Sequence, residues 1–306
     1  MRRLSLGLAI LAVTLWTGAY RVEPSAAQTP KQTTAHARPN PANPGDFAGA
    51  ATCETCHAEI FKKFSDNPHS KLALQHSGKG VTCESCHGAG KAHVESGGDK
   101  SRILDLASAS PTRVDETCLG CHAGAHPNFL RSLHAKANVS CTGCHTVHDS
   151  APDTVLLKAN QPTLCYQCHA DVKPAFAATF HHKVDEGLMK CSDCHETHGT
   201  FGNNQVKSTA DQNAVCVKCH AETGGPFVYE HAPVKAEGCV GCHAPHGSQN
   251  ARLLNITNVN TLCKQCHSVI AAGTVHGMSG GSSELTPCII CHTMIHGSNL
   301  NQAFLK

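Results

Sequence analysis

Every cysteine of this chain lies in a Cys-x-x-Cys-His motif, and ten such motifs use all twenty of them. The pairs are Cys53/Cys56, Cys83/Cys86, Cys118/Cys121, Cys141/Cys144, Cys165/Cys168, Cys191/Cys194, Cys216/Cys219, Cys239/Cys242, Cys263/Cys266 and Cys288/Cys291. The histidines that follow them are His57, His87, His122, His145, His169, His195, His220, His243, His267 and His292. Two residues between the cysteines let both sulfurs meet one edge of a flat group, and the trailing imidazole can then ligate a metal at its centre. This is the attachment signal of c-type haem: two thioethers to the porphyrin and a histidine on the iron.

A single motif of this kind is weak, because Cys-x-x-Cys also serves zinc sites and thiol redox chemistry. Zinc needs the cysteine pairs but gives no reason for a histidine after each of ten. A disulfide framework, the usual reading of a cysteine-rich exported chain, gives no reason for it either. Ten haem c groups are the cofactors this pattern predicts.

The other histidines extend the pattern. Aligned by motif, the chain divides into five two-haem modules that open at Cys53, Cys118, Cys165, Cys216 and Cys263. Each has one histidine in the loop between its motifs (His69, His134, His181, His231, His276) and one shortly after the second motif (His93, His148, His198, His246, His296). That supplies ten candidate second axial ligands for ten irons, with His36, His76, His126 and His182 left over. A trailing histidine close behind its own proximal histidine cannot cross to the far face of the same haem, so it must serve another. If modules close on themselves, the loop histidine takes the second haem and the trailing one the first; ligand exchange between modules is the alternative.

Outside the motifs, composition allows little else to build an interior. Aromatic residues make up 4% of 306 residues, with one Trp and three Tyr, so the haems themselves must be the core. The expected fold is mostly irregular with short α-helices and little or no β-sheet. A linear repeat of two-haem units favours an elongated multihaem cytochrome c. Ala58 to Phe64 and Asp171 to Phe180 are the expected helical extensions, with Phe61, Phe64, Phe176 and Phe180 packing on porphyrin.

The start of the chain is a basic Met1-Arg2-Arg3, an apolar run to Tyr20 and a small-residue end at Ser25-Ala26-Ala27. It reads as a secretory signal peptide over 1–27; an uncleaved anchor is the alternative. Residues 28–49, rich in Pro, Ala, Thr and Asn, read as a flexible linker. An N-terminal haem region (50–164, haems 1–4), a C-terminal haem region (165–298, haems 5–10) and a tail (299–306) complete the organisation. Cleavage after Ala27 removes three basic residues from 25 and one acidic residue from 23, leaving 22 of each sign. Each ferric haem with ionised propionates adds about one negative charge, so the loaded protein is acidic and a nucleic-acid role is excluded.

The segment CESCHGAGKAHVESGGDKSRI (83–103), the ten motifs, the signatures CHETHG (194–199) and CHAPHG (242–247), and the signal peptide together resemble the DmsE/MtrA family of periplasmic decahaem cytochromes. The resemblance covers 50 to about 298. It implies a wire of bis-histidine haems in two pentahaem halves, lodged in an outer-membrane β-barrel protein. The implied partners are that barrel, a surface cytochrome or oxidoreductase, and a periplasmic or inner-membrane cytochrome as donor or acceptor. The expected function is electron transfer between the periplasmic redox pool and a donor or acceptor at or beyond the outer membrane. The alternative is a multihaem oxidoreductase acting on a small nitrogen or sulfur oxyanion. That chemistry needs an iron with an open coordination position, which no motif marks.

Overall fold

The computed structural model describes residues 43–75, 80–149, 155–207, 211–267, 276 and 286–305. The signal segment 1–27, linker residues 28–42, His36, His76 and the loop 277–283 lie outside the described residues. Residues 42–306 form one unit by contact.

Within that unit the backbone is mostly turns and loops, joined by short helices. The longest spans Pro111–His122, and most others run four to eight residues. One antiparallel sheet is seen among the described residues, pairing Tyr229–Glu230 with Gly297–Ser298. The expectation of short helices with almost no sheet holds. Its physical reason is also visible, because few apolar side chains are buried: Val114, Phe129, Leu156, Phe176, Ala178 and Val184 among the described residues.

The helices are organised by the motifs. In the first motif of a two-haem module the first cysteine lies toward the end of a helix, as in Ala50–Glu54, Pro111–His122, Thr163–Tyr166 and Val259–Lys264. In the second motif the first cysteine opens one: Cys83–His87, Cys141–Cys144 and Cys191–Cys194, with 3-10 turns at Cys239–Gly241 and Cys288–Ile290. In both settings the histidine N–H bonds back to the carbonyl of the first cysteine, at 2.9 Å in His57 and His169 and 3.0 Å in His145 and His195. That single helical turn gathers two sulfurs and an imidazole at one place.

A helix that opens on a cysteine leaves its first N–H groups without intrahelical partners. Side chains just upstream of the preceding motif fill that need. Asp115 Oδ1 accepts from Cys141 N at 3.0 Å, Asn213 Oδ1 from Cys239 N at 2.8 Å, and Asn260 Oδ1 from Cys288 N at 2.8 Å. Gln161 does the same for Ser192 N at 3.0 Å. These bonds tie the two motifs of a module together.

Ala58–Ser65 is helical as the sequence suggests. Asp171 to Phe180 is helical only over Lys173–Phe176. Its end is extended because Phe180 exchanges backbone hydrogen bonds with Ser248, at 3.0 and 2.8 Å. Phe176 is buried with its ring 5.3 Å from that of His246, whereas Phe180 stays exposed. The glycine after the trailing histidine in CHETHG also has a reason. Gly199 has φ 103°, and a Cβ there would sit 2.6 Å from the Asn128 carbonyl oxygen.

Candidate haem-binding site

None of the twenty cysteines is buried. The two cysteines of a motif differ in exposure. The first cysteine of every motif is half-buried. The second is exposed in Cys56, Cys86, Cys121, Cys168, Cys219, Cys242, Cys266 and Cys291, and half-buried only in Cys144 and Cys194. The turn explains the difference. The first cysteine lies against the paired motif, whereas the second follows three residues later, most of a turn further along the axis. Cys56, Cys219 and Cys291 still hold their place in that turn, each N–H donating to the first cysteine's carbonyl at 3.2, 3.2 and 3.3 Å. Cys121 lies within the helix Pro111–His122. Cys56, Cys121, Cys219 and Cys291 are thus held by this backbone turn, and Cys56 Sγ also accepts from Thr55 Oγ1 at 3.8 Å.

The thiols follow one another in chain order. The first cysteines of paired motifs share hydrogen bonds, Cys118 with Cys141, Cys165 with Cys191, and Cys216 with Cys239. Those bonds hold Cys191 and Cys239 down to about 7 and push Cys165 and Cys216 up. Burial first, and then the facing thiol, raises Cys53 beside Cys83, and raises Cys263 to about 11 beside Cys288. Between modules, burial and then a neighbouring motif's cysteine raise Cys86 (Cys118), Cys144 (Cys168) and Cys194 (Cys216). Cys242 is raised by burial, Glu237 and then Cys266. Each motif therefore neighbours the next one in sequence, from the first to the tenth.

Every motif histidine faces a second imidazole. The pairs are His57–His93, His87–His148, His122–His69, His145–His198, His169–His134, His195–His246, His220–His182, His243–His296, His267–His231 and His292–His276. Their ring centres lie 5.9 to 6.5 Å apart. Two imidazole nitrogens each about 2 Å from one metal put the ring centres about 6 Å apart, so each gap accepts an iron and its macrocycle. Among the described residues no cluster of three or more His, Cys, Asp or Glu could hold a bare metal ion. The donor set is therefore two imidazoles and two thiols per site, which fits haem c and not zinc.

The imidazoles are also prepared as ligands. In the second motif of each module Nδ1 donates to a backbone carbonyl: His87 to Leu104 (2.9 Å), His145 to Val155 (2.7 Å), His195 to Asn204 (2.9 Å), His243 to Arg252 (2.8 Å) and His292 to Ala303 (2.6 Å). This leaves Nε2 free for a metal. The accepting loops carry non-glycine residues in left-handed conformation, Leu156, Asn204, Arg252 and Phe304, a costly arrangement kept where geometry must be exact. Burial and then the facing imidazole lower His69, His148, His231, His246 and His296; His198 is lowered by burial and then by His126. Lowered values favour the neutral imidazole that binds metal.

Three further features differ from the sequence expectation. First, modules do not close on themselves. The loop histidines His69, His134 and His231 face the first motif of the next module, and each trailing histidine from His148 onward faces the second motif of the previous one. Closure within a module survives only at the two ends, in His57–His93 and His276–His292.

Second, His182 rather than His181 faces His220, at 6.3 Å. His181 Nε2 instead meets Glu186 Oε1 at 2.9 Å, in a contact shared with Lys183 that holds the Glu186 carboxyl down to about 2. The Phe180–Ser248 bridge leaves the chain extended there, so adjacent side chains point to opposite faces.

Third, a set of histidine contacts had no sequence signal. His134 Nδ1 donates to the Thr197 carbonyl at 3.1 Å, His182 to Pro245 at 2.6 Å, and His231 to Ile295. Each acceptor immediately precedes a trailing histidine. In the first repeat a fully buried amide intervenes. Asn67 Oδ1 accepts from His69 Nδ1 at 3.1 Å, and Asn67 Nδ2 donates to the Val147 and Asp149 carbonyls at 3.2 and 2.9 Å. Of the left-over histidines, His126 lies with its ring centre 3.9 Å from that of His198.

Comparison with known proteins agrees with this geometry. The family of the doubled CXXCH motif matches residues 134–174, 181–225 and 231–272, and the family of cytochrome c554 and c-prime matches 91–146. The doubled-motif matches contain the facing pairs His134–His169, His182–His220 and His231–His267. The chain is 32% identical to the multihaem cytochrome MtrA of Shewanella baltica (strain OS185), over 95% of this chain and 91% of that protein. It is 30% identical to the C-type polyhaem cytochrome OmcC of Geobacter sulfurreducens over 126 residues, which cover 35% of this chain and 16% of OmcC.

Proposed function

The chain belongs to the MtrA family of multihaem c-type cytochromes, and from that premise we propose that it carries ten haems and conducts electrons in single file. One observation carries the reading: ten sites follow one another in chain order, each with a facing imidazole pair. The twenty cysteines anchor the haems, the ten motif histidines hold one face, and His93, His148, His69, His198, His134, His246, His182, His296, His231 and His276 hold the other. When bound, haem iron takes up and gives back one electron. The protein's part is to keep both axial positions filled, so that small substrates find no iron to bind. That supports a carrier over a reductase of nitrogen or sulfur oxyanions.

The chain works in the periplasm, lodged in an outer-membrane β-barrel, between a periplasmic or inner-membrane cytochrome and a surface cytochrome or oxidoreductase. The export signal and the family resemblance support this placement. Among the described residues no helix is long and apolar enough to cross a membrane.

The test uses the mature holo-protein, with its haem count read by intact mass. Reconstituted in liposomes with an outer-membrane β-barrel partner, it passes electrons from enclosed reduced methyl viologen to external ferric citrate. Without the barrel the transfer is negligible. Fewer than ten haems, barrel-independent transfer, or saturable reduction of nitrite or hydroxylamine at about 1 to 1,000 per second overturns the reading.

A further inference from the structure

The five junctions between paired motifs are built alike but differ in charge. At the first, Glu84 is buried, and its carboxylate accepts from the backbone N–H of Ala48 (2.8 Å), Gly49 (3.0 Å) and Gly90 (2.8 Å). At the second, Asp115 is 3% exposed, and its Oδ1 lies 3.0 Å from Cys141 N and 3.2 Å from Cys141 Sγ. At the fourth and fifth the same place is taken by a neutral amide. Asn213 Oδ1 stands 2.8 Å from Cys239 N and 3.1 Å from its Sγ, and Asn260 Oδ1 stands at the same two distances from Cys288. The third junction uses Gln161, also neutral. Among the described residues Glu84 and Asp115 are the buried carboxylates, and no salt bridge is formed by either.

A charge buried against a haem edge acts through a medium of low dielectric and is felt far more strongly than a surface charge. A negative charge stabilises the ferric over the ferrous state and so lowers the reduction potential. Asp115 lies on the helix Pro111–His122 three residues before Cys118, and its Oδ1 meets Cys141 N and Sγ, so the carboxylate sits between both motifs of its junction. We propose that Glu84 and Asp115 grade the wire, holding the haems of the first four motifs at lower potential than the haems of the seventh to tenth. Electrons entering at the N-terminal end then run downhill toward the C-terminal end, where the junction residues are uncharged.

This inference rests on haem attachment at these motifs. The test is spectroelectrochemical titration of the purified holo-protein, each haem taking one electron from the mediator, for the wild type, Asp115→Asn and Asn213→Asp. Each substitution installs the side chain that the protein itself uses at the equivalent place, and Asn213→Asp also gives up the bond from Asn213 Nδ2 to the Val234 carbonyl. Intact mass and the low-spin spectrum establish that the haem complement is unchanged. Asp115→Asn moves about two of the ten one-electron components to higher potential, and Asn213→Asp moves about two to lower potential. Curves that superimpose on the wild type in both variants, with all haems present and low-spin, overturn the proposal. So does loss of haem from Asp115→Asn together with an unshifted Asn213→Asp, which makes the position a maturation element only. An unmodified Cys141 in the wild-type protein, found by peptide mapping, sinks the attachment reading instead.

Discussion

The choice between adjacent histidines 181 and 182 gives the sharpest test of the axial assignments. His182 faces His220 at 6.3 Å and donates Nδ1–H to the Pro245 carbonyl at 2.6 Å, which fixes its ring. His181 is engaged by Glu186 and Lys183, at 2.9 and 3.3 Å from Nε2. Replacing His182 by Ala removes one axial imidazole and one hydrogen bond, the latter worth about 0.5–1.5 kcal/mol. The iron at the seventh motif is left five-coordinate, so about one tenth of the haem becomes high-spin. His181→Ala removes the Glu186 contact and the Nδ1–H bond to the Ala178 carbonyl at 2.7 Å but no axial imidazole, and every haem stays low-spin. Electronic spectra and EPR of the ferric proteins, scaled to haem content, read the difference directly. Because His181 could swing in where His182 is missing, the double variant His181→Ala/His182→Ala is included and must show the same one-tenth fraction. High-spin haem in His181→Ala, or none in the double variant, refutes the assignment.

Asn67→Ala leaves the His69 ring and two backbone carbonyls without their buried partner. An unmet buried group costs about 1–3 kcal/mol, so Tm falls in a thermal melt monitored at the Soret band, while Asn67→Gln recovers little because no space surrounds the site. Acid acts through the facing histidines. Those held below their ordinary value bind fewer protons folded than unfolded, so stability is full above the unfolded histidine value of about 6.5 and is lost as pH falls below it. Because a proton must then displace iron from Nε2, haems in an acid titration turn high-spin only as the pH falls well below that value, and a high-spin fraction already present at neutral pH contradicts the account. Ligand-plane angles give a further readout. His69–His122 and His134–His169 cross at 86° and 70°, whereas His87–His148 and His267–His231 lie at 13°. The ferric EPR spectrum therefore contains both large-g-anisotropy and rhombic low-spin signals, and Asn67→Ala alters the former; a single uniform signal rules this out.

The motifs read as haem attachment sites were legible in the chain because they are local. Two cysteines and a histidine are held by one turn within five residues, so spacing alone specifies how they are gathered. The unequal exposure of the two sulfurs, half-buried Cys53 against exposed Cys56, was not legible, since it depends on which motif packs against the turn. The scarcity of sheet could be read for the same local reason, as closely spaced motifs and few aromatic residues leave nothing for strands to pack against. The number of further histidines, enough for one per motif, could also be counted, and nine of the ten proposed at the outset face a motif histidine. Which histidine faces which motif could not be read, because those pairings are long-range and several registers satisfy the same count. Closure within modules and exchange between them differ by no residue of sequence. Only the Phe180–Ser248 bridge distinguishes His182 from His181, since alternation along an extended segment depends on where a distant strand pins it. Asn67 and Asp115 gave no signal in the chain, because an Asn or Asp acquires its role from the N–H and C=O groups that the fold brings to it. Local covalent chemistry was written in the sequence; the order in which imidazoles reach across to one another, and the charges buried between them, belong to tertiary structure.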